Sequence, residues 1–284
     1  MVADDACGTR SADSLGLAAA SSAFQQHCVE RSTLDRSQPS GSAEPVLALL
    51  RQLSSAMGGQ NIFGSQGNVG RVLQQILCYH HILRSTSVRR PVLRVCETGF
   101  SGGHSSTVFL AALNDSNARY YGFDLGDRPH KRAAAIFINT TLFPGQLHVA
   151  FGRSDVTGEA FFRGKPSSFL CDMLSIDGDH TEAGALRDWD IFGPRLAPQG
   201  LVFFDDIGTA RHPGMEGPTR AWQRLVAANN ITTVGCVRLA GRTDIILQSG
   251  AMSRKAMRAS RGFCIGMILQ TNAATAAQCR LTTR

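Results

Sequence analysis

The sequence predicts an α/β fold: a mostly parallel sheet with helices on both faces, entered through a helical lead-in. Three observations carry this. From Pro91 onward, short apolar runs alternate with stretches of helical periodicity, the pattern of parallel strands linked by crossover helices. Several of the apolar runs end in a carboxylate, at Glu97, Asp124, Asp177 and the pair Asp205 and Asp206. A glycine-rich stretch with Gly99, Gly102 and Gly103 follows the first run, as a tight strand-to-helix turn requires.

The elements follow in order. Residues 1–44 are rich in Ser, Ala, Gly, Asp and Arg with weak periodicity, so they are expected to be disordered or loosely attached. Val46, Leu47, Leu49, Leu50 and Leu53 recur at helical spacing up to Gly58 and Gly59. After a polar loop over 60–67, Val69, Val72, Leu73, Ile76, Leu77 and Ile82 mark a second helix. Strands are then expected at 92–96, 120–123, 147–151, 169–176 and 200–204, with helices at 105–113, 131–141, 183–192 and 218–228. Two last runs, 231–239 and 244–247, read as a hairpin around Gly241. The expected organisation is an N-terminal extension (1–44), a main domain (45–250, with its lead-in over 45–88 and its core over 91–250) and a C-terminal tail (251–284) without an assigned structure.

Composition narrows the class. The chain has 284 residues, 43% hydrophobic and 18% charged, enough for one large globular domain. No apolar run reaches the roughly 20 residues of a membrane helix. The short apolar run at 15–20 follows Asp4 and Asp5 rather than a basic segment, so no signal peptide is expected; an organellar transit signal within 1–44 stays open. The net charge is +7. No dense basic block with interleaved aromatics accompanies it, so it reads as a solvated surface and not as a nucleic-acid footprint. The eight cysteines show no Cys-x-x-Cys or zinc-finger spacing. They are expected to be reduced, which places the chain in the cytoplasm.

The strand-end acids point to a site, because ligands of open parallel sheets bind outside the carboxyl ends of the strands. Asp124 ends the strand after the glycine-rich turn and can accept hydrogen bonds from both ribose hydroxyls of an adenosine cofactor. The turn itself lacks Gly-x-Gly-x-x-Gly and begins with Glu97, whose charge would repel a pyrophosphate. S-adenosylmethionine, with a sulfonium, an amino group and no phosphate, suits it. This weighs against a nicotinamide dehydrogenase.

On the other half, Asp177, Asp179 and His180 follow one strand and Asp205 and Asp206 the next. Clustered carboxylates call for a cation, and an oxygen-rich set suits a hard divalent ion such as Mg²⁺. Such an ion would lower the pKa of a substrate hydroxyl while Asp179 or His180 takes its proton. Asp179 could instead cap the following helix, and His180 could be a loop histidine. Asp188 and Asp190 read as a solvated helix face. Arg211 and His212 are expected to face solvent.

Residues 95–105, Val-Cys-Glu-Thr-Gly-Phe-Ser-Gly-Gly-His-Ser, resemble the first motif of class I S-adenosylmethionine-dependent methyltransferases. Residues 175–180, Ser-Ile-Asp-Gly-Asp-His, and 200–206, Gly-Leu-Val-Phe-Phe-Asp-Asp, are similar to those of a subgroup of small-molecule, metal-dependent, sugar-type O-methyltransferases. Pro213-Gly214 and Thr219-Arg220-Ala221-Trp222 extend the likeness, which covers roughly 45–248. The resemblance implies a Rossmann-like, seven-stranded sheet with its last strand antiparallel. It implies cofactor contacts at Glu97, Gly99, Ser101, Gly102, Gly103, Asp124, Ser154 and Asp177, the ribose falling to Asp124 and adenine to the turn holding Ser154. Asp177, Asp205 and Asp206 would hold the metal, and Asp179 would be the base. His180, at a position often histidine in the subgroup, would be structural or auxiliary. The expected acceptor is a hydroxyl of a small molecule, with a homo-oligomer left open. A nucleic-acid or protein methyltransferase of the same fold is one alternative, although Asp-Gly-Asp-His stands where amino-methylating nucleic-acid enzymes carry Asn/Asp-Pro-Pro-Tyr/Phe. A non-catalytic module that binds the cofactor is the other.

Overall fold

A computed structural model of the chain describes residues 9–29, 44–57, 73–208, 216–239 and 261–268. The helices are α1 (Thr9–Phe24), α2 (Glu44–Ala56), α3 (Leu73–Arg89), α4 (His104–Leu113), α5 (Pro129–Phe137), α6 (Ser154–Arg163), α7 (Glu182–Phe192) and α8 (Glu216–Ala227). The strands are β1 (Arg94–Thr98), β2 (Arg119–Asp124), β3 (Leu147–Phe151), β4 (Cys171–Ile176), β5 (Leu196–Gly208), β6 (Thr232–Leu239) and β7 (Arg261–Met267).

They form one seven-stranded sheet in the order β3-β2-β1-β4-β5-β7-β6. Neighbours from β3 through to β5 pair in parallel, while β7 runs antiparallel to both β5 and β6. This is the expected Rossmann-like sandwich. Because successive side chains on a strand face opposite sides, β5 feeds both layers. Leu201 and Phe203 join Tyr79, Phe109 and Phe263 on the α2–α4 side. Val202 and Phe204 join Trp189, Phe192 and Trp222 on the α7–α8 side. All four β5 residues are fully buried, each contributing about 1.5–3 kcal/mol of apolar transfer free energy.

The parallel order places the carboxyl ends of β1, β2, β4 and β5 along one rim. Two contacts lock the centre of that rim: the N–H of Asp177 donates to the Thr98 carbonyl at 2.9 Å, and the N–H of Gly99 to the Phe123 carbonyl at 2.8 Å. Gly99 has a φ of 93°, and a Cβ there would lie 1.9 Å from the Asp177 carbonyl oxygen. Only glycine permits that approach.

Four features differ from the sequence reading. Helix α6 was not expected. Its glycine, Gly158, packs against Phe192 so closely that a Cβ would come 2.6 Å from the ring, which explains an otherwise poor helix former there. Strand β7, which pairs with β6, was not expected, while the expected strand at 244–247 lies outside the described residues together with Arg211 and His212. Within the stretch expected to be loosely attached, α1 and the turn after it cover β6: Ala20, Phe24 and Cys28 are buried, and Phe24 lies over Gly235. Finally, the cysteines are not all reduced. Disulfides join Cys28 to Cys78, Cys96 to Cys171 and Cys236 to Cys264. The partners are 50, 75 and 28 residues apart, so no local spacing reveals them. With the reduced state goes the premise for a cytoplasmic chain, since such bonds persist in oxidising compartments. No described helix is long and apolar enough to cross a membrane.

Candidate active site

A cleft of about 540 Å³ opens at the rim, with Gly99, Ser101, Asp124, Ser154, Asp177 and Asp179 among its lining residues. Asp124 ends β2. It accepts from the Ser101 and Gly126 amides and from Lys131 Nζ, each at 2.8 Å. Lys131, which the sequence reading missed, also pairs with Asp127 at 2.9 Å. Ser154 begins α6, and its hydroxyl donates to Asp188 Oδ1 at 2.6 Å.

Glu97, Gly102 and Gly103 do not line the cleft. Gly102 and Gly103 are buried, and Gly103, with a φ of 77°, turns the chain against Ile138 and Phe100. Glu97 is 0% exposed and accepts from the hydroxyls of Ser105 (2.7 Å), Ser175 (2.9 Å) and Tyr120. Burial pushes its carboxyl up to about 7, while the three hydroxyls pull the other way.

Asp177 follows β4, while Asp205 and Asp206 belong to β5. Between Phe204 and Ile207 the β5–β7 register shifts, and Asp206 takes a φ of 53°. A non-glycine residue in that region costs on the order of 1–3 kcal/mol and persists where the surroundings enforce it. The shift turns the two neighbouring acids to different partners. Asp206 Oδ2 lies 3.1 Å from His180 Nε2, which is 3.7 Å from Asp177 Oδ1. Ligand atoms of Asp177, His180 and Asp206 all fall within 4.8 Å of one another. Asp205 stands outside that group: both of its oxygens lie 2.9 Å from Gln75 Nε2 of α3.

The electrostatics follow from this crowding. Burial raises the Asp177 carboxyl well above its ordinary range, and the charges of Asp205 and Asp206 raise it further. The His180 imidazole is held up to about 9, first by the Asp177 carboxylate beside it and against the cost of burial. Negative charge is therefore in excess here. Two carboxylates and an imidazole converging within this distance form a donor set that fits a divalent cation.

Asp179 is exposed at the mouth, and its Oδ1 accepts from the Thr181 amide at 2.9 Å. It does not cap α7; Thr181 does, accepting from the Gly184 amide at 3.0 Å. Its side chain lies over Gly184, where a Cβ would meet Asp179 Cγ at 2.2 Å. Asp190 is exposed as expected, but Asp188 is 1% exposed. It lies on the inner face of α7 and binds Ser154, and burial raises its pKa. Helical periodicity locates such a residue on a helix, but an acid flanked by Arg187 and Trp189 gives no signal of which way it faces. Gln75 carried no signal either, because its partner lies 130 residues away.

Residues 96–207 match a family model described as a methyltransferase domain. The fold of the chain recurs in a Klebsiella pneumoniae protein assigned as an O-methyltransferase (TM-score 0.55, 15% identity, 87% of this chain and 99% of that one). An O-methyltransferase from Bacillus cereus in complex with S-adenosylhomocysteine is similar (TM-score 0.54, 15% identity, 87% and 99%). So is TomG of Streptomyces achromogenes, an O-methyltransferase of tomaymycin synthesis in complex with S-adenosylmethionine (TM-score 0.52, 15% identity, 87% and 96%). At that identity the likenesses speak to the fold. No curated protein matches the chain in sequence. The matched segment runs from within β1 to within β5, and so includes every lining residue of the cleft and both ends of the carboxylate cluster.

Proposed function

We propose that this domain transfers the methyl group of S-adenosylmethionine to a hydroxyl of a small molecule (a sugar, polyol or phenol-like compound) with the help of a divalent cation such as Mg²⁺. The observation that carries the reading is the convergence of Asp177, Asp206 and His180 on the edge of a cleft whose other walls hold Asp124 and Ser154.

Within the cleft, Asp124 would accept the ribose hydroxyls, with Lys131 and the Ser101 amide keeping its carboxylate in place. Ser154, at the start of α6, would meet the base. Gly99 would let the sulfonium end lie close to the backbone. Glu97, fully buried, would shape the turn from below and not touch the cofactor.

Asp177 and Asp206 would hold the cation. The cation would supply positive charge against the negative charge that develops on the acceptor oxygen. As that oxygen attacks the methyl carbon and the C–S bond breaks, its proton would pass to a side chain at the mouth. Asp179 is exposed there with one carboxylate oxygen turned to Thr181; His180 presents Nε2 between the two acids. The test is methyl transfer from radiolabelled donor to a panel of hydroxyl acceptors, with and without EDTA, beside calorimetric titration of S-adenosylhomocysteine. Binding of the nucleoside without transfer to any hydroxyl would leave a non-catalytic module. Transfer untouched by EDTA would remove the cation from the reading.

A further inference from the structure

Asp205 and Asp206 are adjacent in sequence, both almost fully buried, and easily taken as a pair of equivalent ligands. The geometry separates them. Asp206 faces His180 at 3.1 Å. Asp205 faces α3, where Gln75 Nε2 lies 2.9 Å from each carboxylate oxygen and 2.9 Å from the Tyr79 hydroxyl. The Asp206 amide also donates to Asp205 Oδ1 at 2.8 Å. Gln75 is 1% exposed, so its amide competes with no solvent for this carboxylate. A hydrogen bond from a buried neutral donor to a carboxylate is among the stronger ones, and here one donor spans both oxygens.

Resting on the cation reading above, we infer that Asp205 is not a ligand of the cation but a buried charge set behind it, and that Gln75 is the positioning residue that keeps it there. The cation seat is then formed by Asp177 and Asp206 beside His180, groups from the turn after β4 and from the end of β5. Asp205 contributes through space, adding negative potential at a seat it does not enter. Gln75 divides the two acids by their partners, which a sequence of two consecutive aspartates cannot do.

The experiment is Mn²⁺ binding, followed by electron paramagnetic resonance and by calorimetry, on the full chain and on Asp205→Asn, Asp206→Asn, Gln75→Met and the Gln75→Met/Asp205→Asn double variant. S-adenosylhomocysteine binding and thermal unfolding accompany each as checks of folding. Asp206→Asn is expected to abolish detectable Mn²⁺ binding. Asp205→Asn is expected to weaken it by about 10-fold, the scale of a group behind the ligands. Gln75→Met frees the Asp205 carboxylate to turn to the ion, so affinity rises several-fold, and this gain disappears in the double variant. If Gln75→Met does not fold, Gln75→Asn, whose shorter amide stops short of Asp205, takes its place. Loss of binding in Asp205→Asn equal to that in Asp206→Asn overturns the inference while leaving the cation reading intact. So does an affinity unchanged by loss of Gln75. Absence of Mn²⁺ binding in the unmodified chain overturns the cation reading and the inference with it.

Discussion

The amide of Asp177 donates to the carbonyl of Thr98 at 2.9 Å, so the turn after β4 is fastened to the end of β1 at the residue that meets His180 and Asp206. The same closure leaves no room for a side chain at Gly99. The glycine-rich turn and the carboxylate cluster are therefore one mechanical unit.

Gly99→Ala should break that unit. Its Cβ would lie 1.9 Å from the Asp177 carbonyl oxygen, at a φ of 93°, which has to be relieved by backbone movement. We expect a loss of at least about 2 kcal/mol in stability, together with weakened binding of both S-adenosylhomocysteine and Mn²⁺. Urea unfolding and calorimetry measure the two. A variant of native stability and affinities would show that the turns move independently.

Asp124→Asn should weaken S-adenosylhomocysteine binding by at least about 10-fold, the scale of a charged hydrogen bond of 1.5–3 kcal/mol. It also strips Lys131 of its closest partner. Lys131→Met separates the effects, because it leaves the carboxylate but loosens it, and should cost less affinity. Calorimetry on both variants reads this directly; equal losses would argue that Lys131 itself meets the cofactor.

Stability should fall between mildly acidic and neutral pH on account of Glu97. Its folded pKa, about 7, lies above the ordinary 4.5 because burial disfavours the charged form. The folded chain therefore holds this proton more tightly than the unfolded one. The contribution is full below about 4.5 and is lost as pH rises through about 7, in total roughly 3 kcal/mol. Glu97→Gln, which stays neutral, should flatten this part of the profile in urea unfolding from pH 5 to 8. An unchanged slope would place the titration elsewhere.

Reduction should loosen the N-terminal helices. The Cys28–Cys78 bond ties the turn after α1 to α3 across 50 residues, and Gln74 adds a bond to the Cys28 carbonyl at 3.1 Å. Cys28→Ser should cost about 2–4 kcal/mol. Thiol alkylation with mass spectrometry, with and without reductant, checks the bond itself; full labelling of Cys28 and Cys78 without reductant would show it is not formed.

Much of this was legible in the sequence, and the limits have a physical pattern. The alternation of strands and helices fixed the parallel sheet, and strand-end acids predicted the rim, because both are local signals. Asp177 and Asp206 meet because β4 and β5 are parallel neighbours. What the sequence could not show depends on distant partners. Gln75 reaches Asp205 across 130 residues, the cysteines pair far apart, and Asp188 turns inward to meet Ser154 34 residues away. The pairing of β6 with a strand that begins at Arg261 was missed for the same reason, since sequence proximity draws attention to 244–247 and not to a partner more than twenty residues on.

That last strand has a consequence for how the protein comes into being. Because β7 lies between β5 and β6, a segment synthesised after both must enter between them to complete the sheet. Non-local pairings of this kind are slow to form, and a chain emerging from the ribosome folds its earlier parts first. The register shift that aims Asp206 is set against β7, with Ile207 opposite Gly262 and Gly208 opposite Arg261. The nascent chain would thus hold its cofactor turn well before its carboxylates are aimed, so affinity for the nucleoside would arise earlier in biosynthesis than the capacity for chemistry.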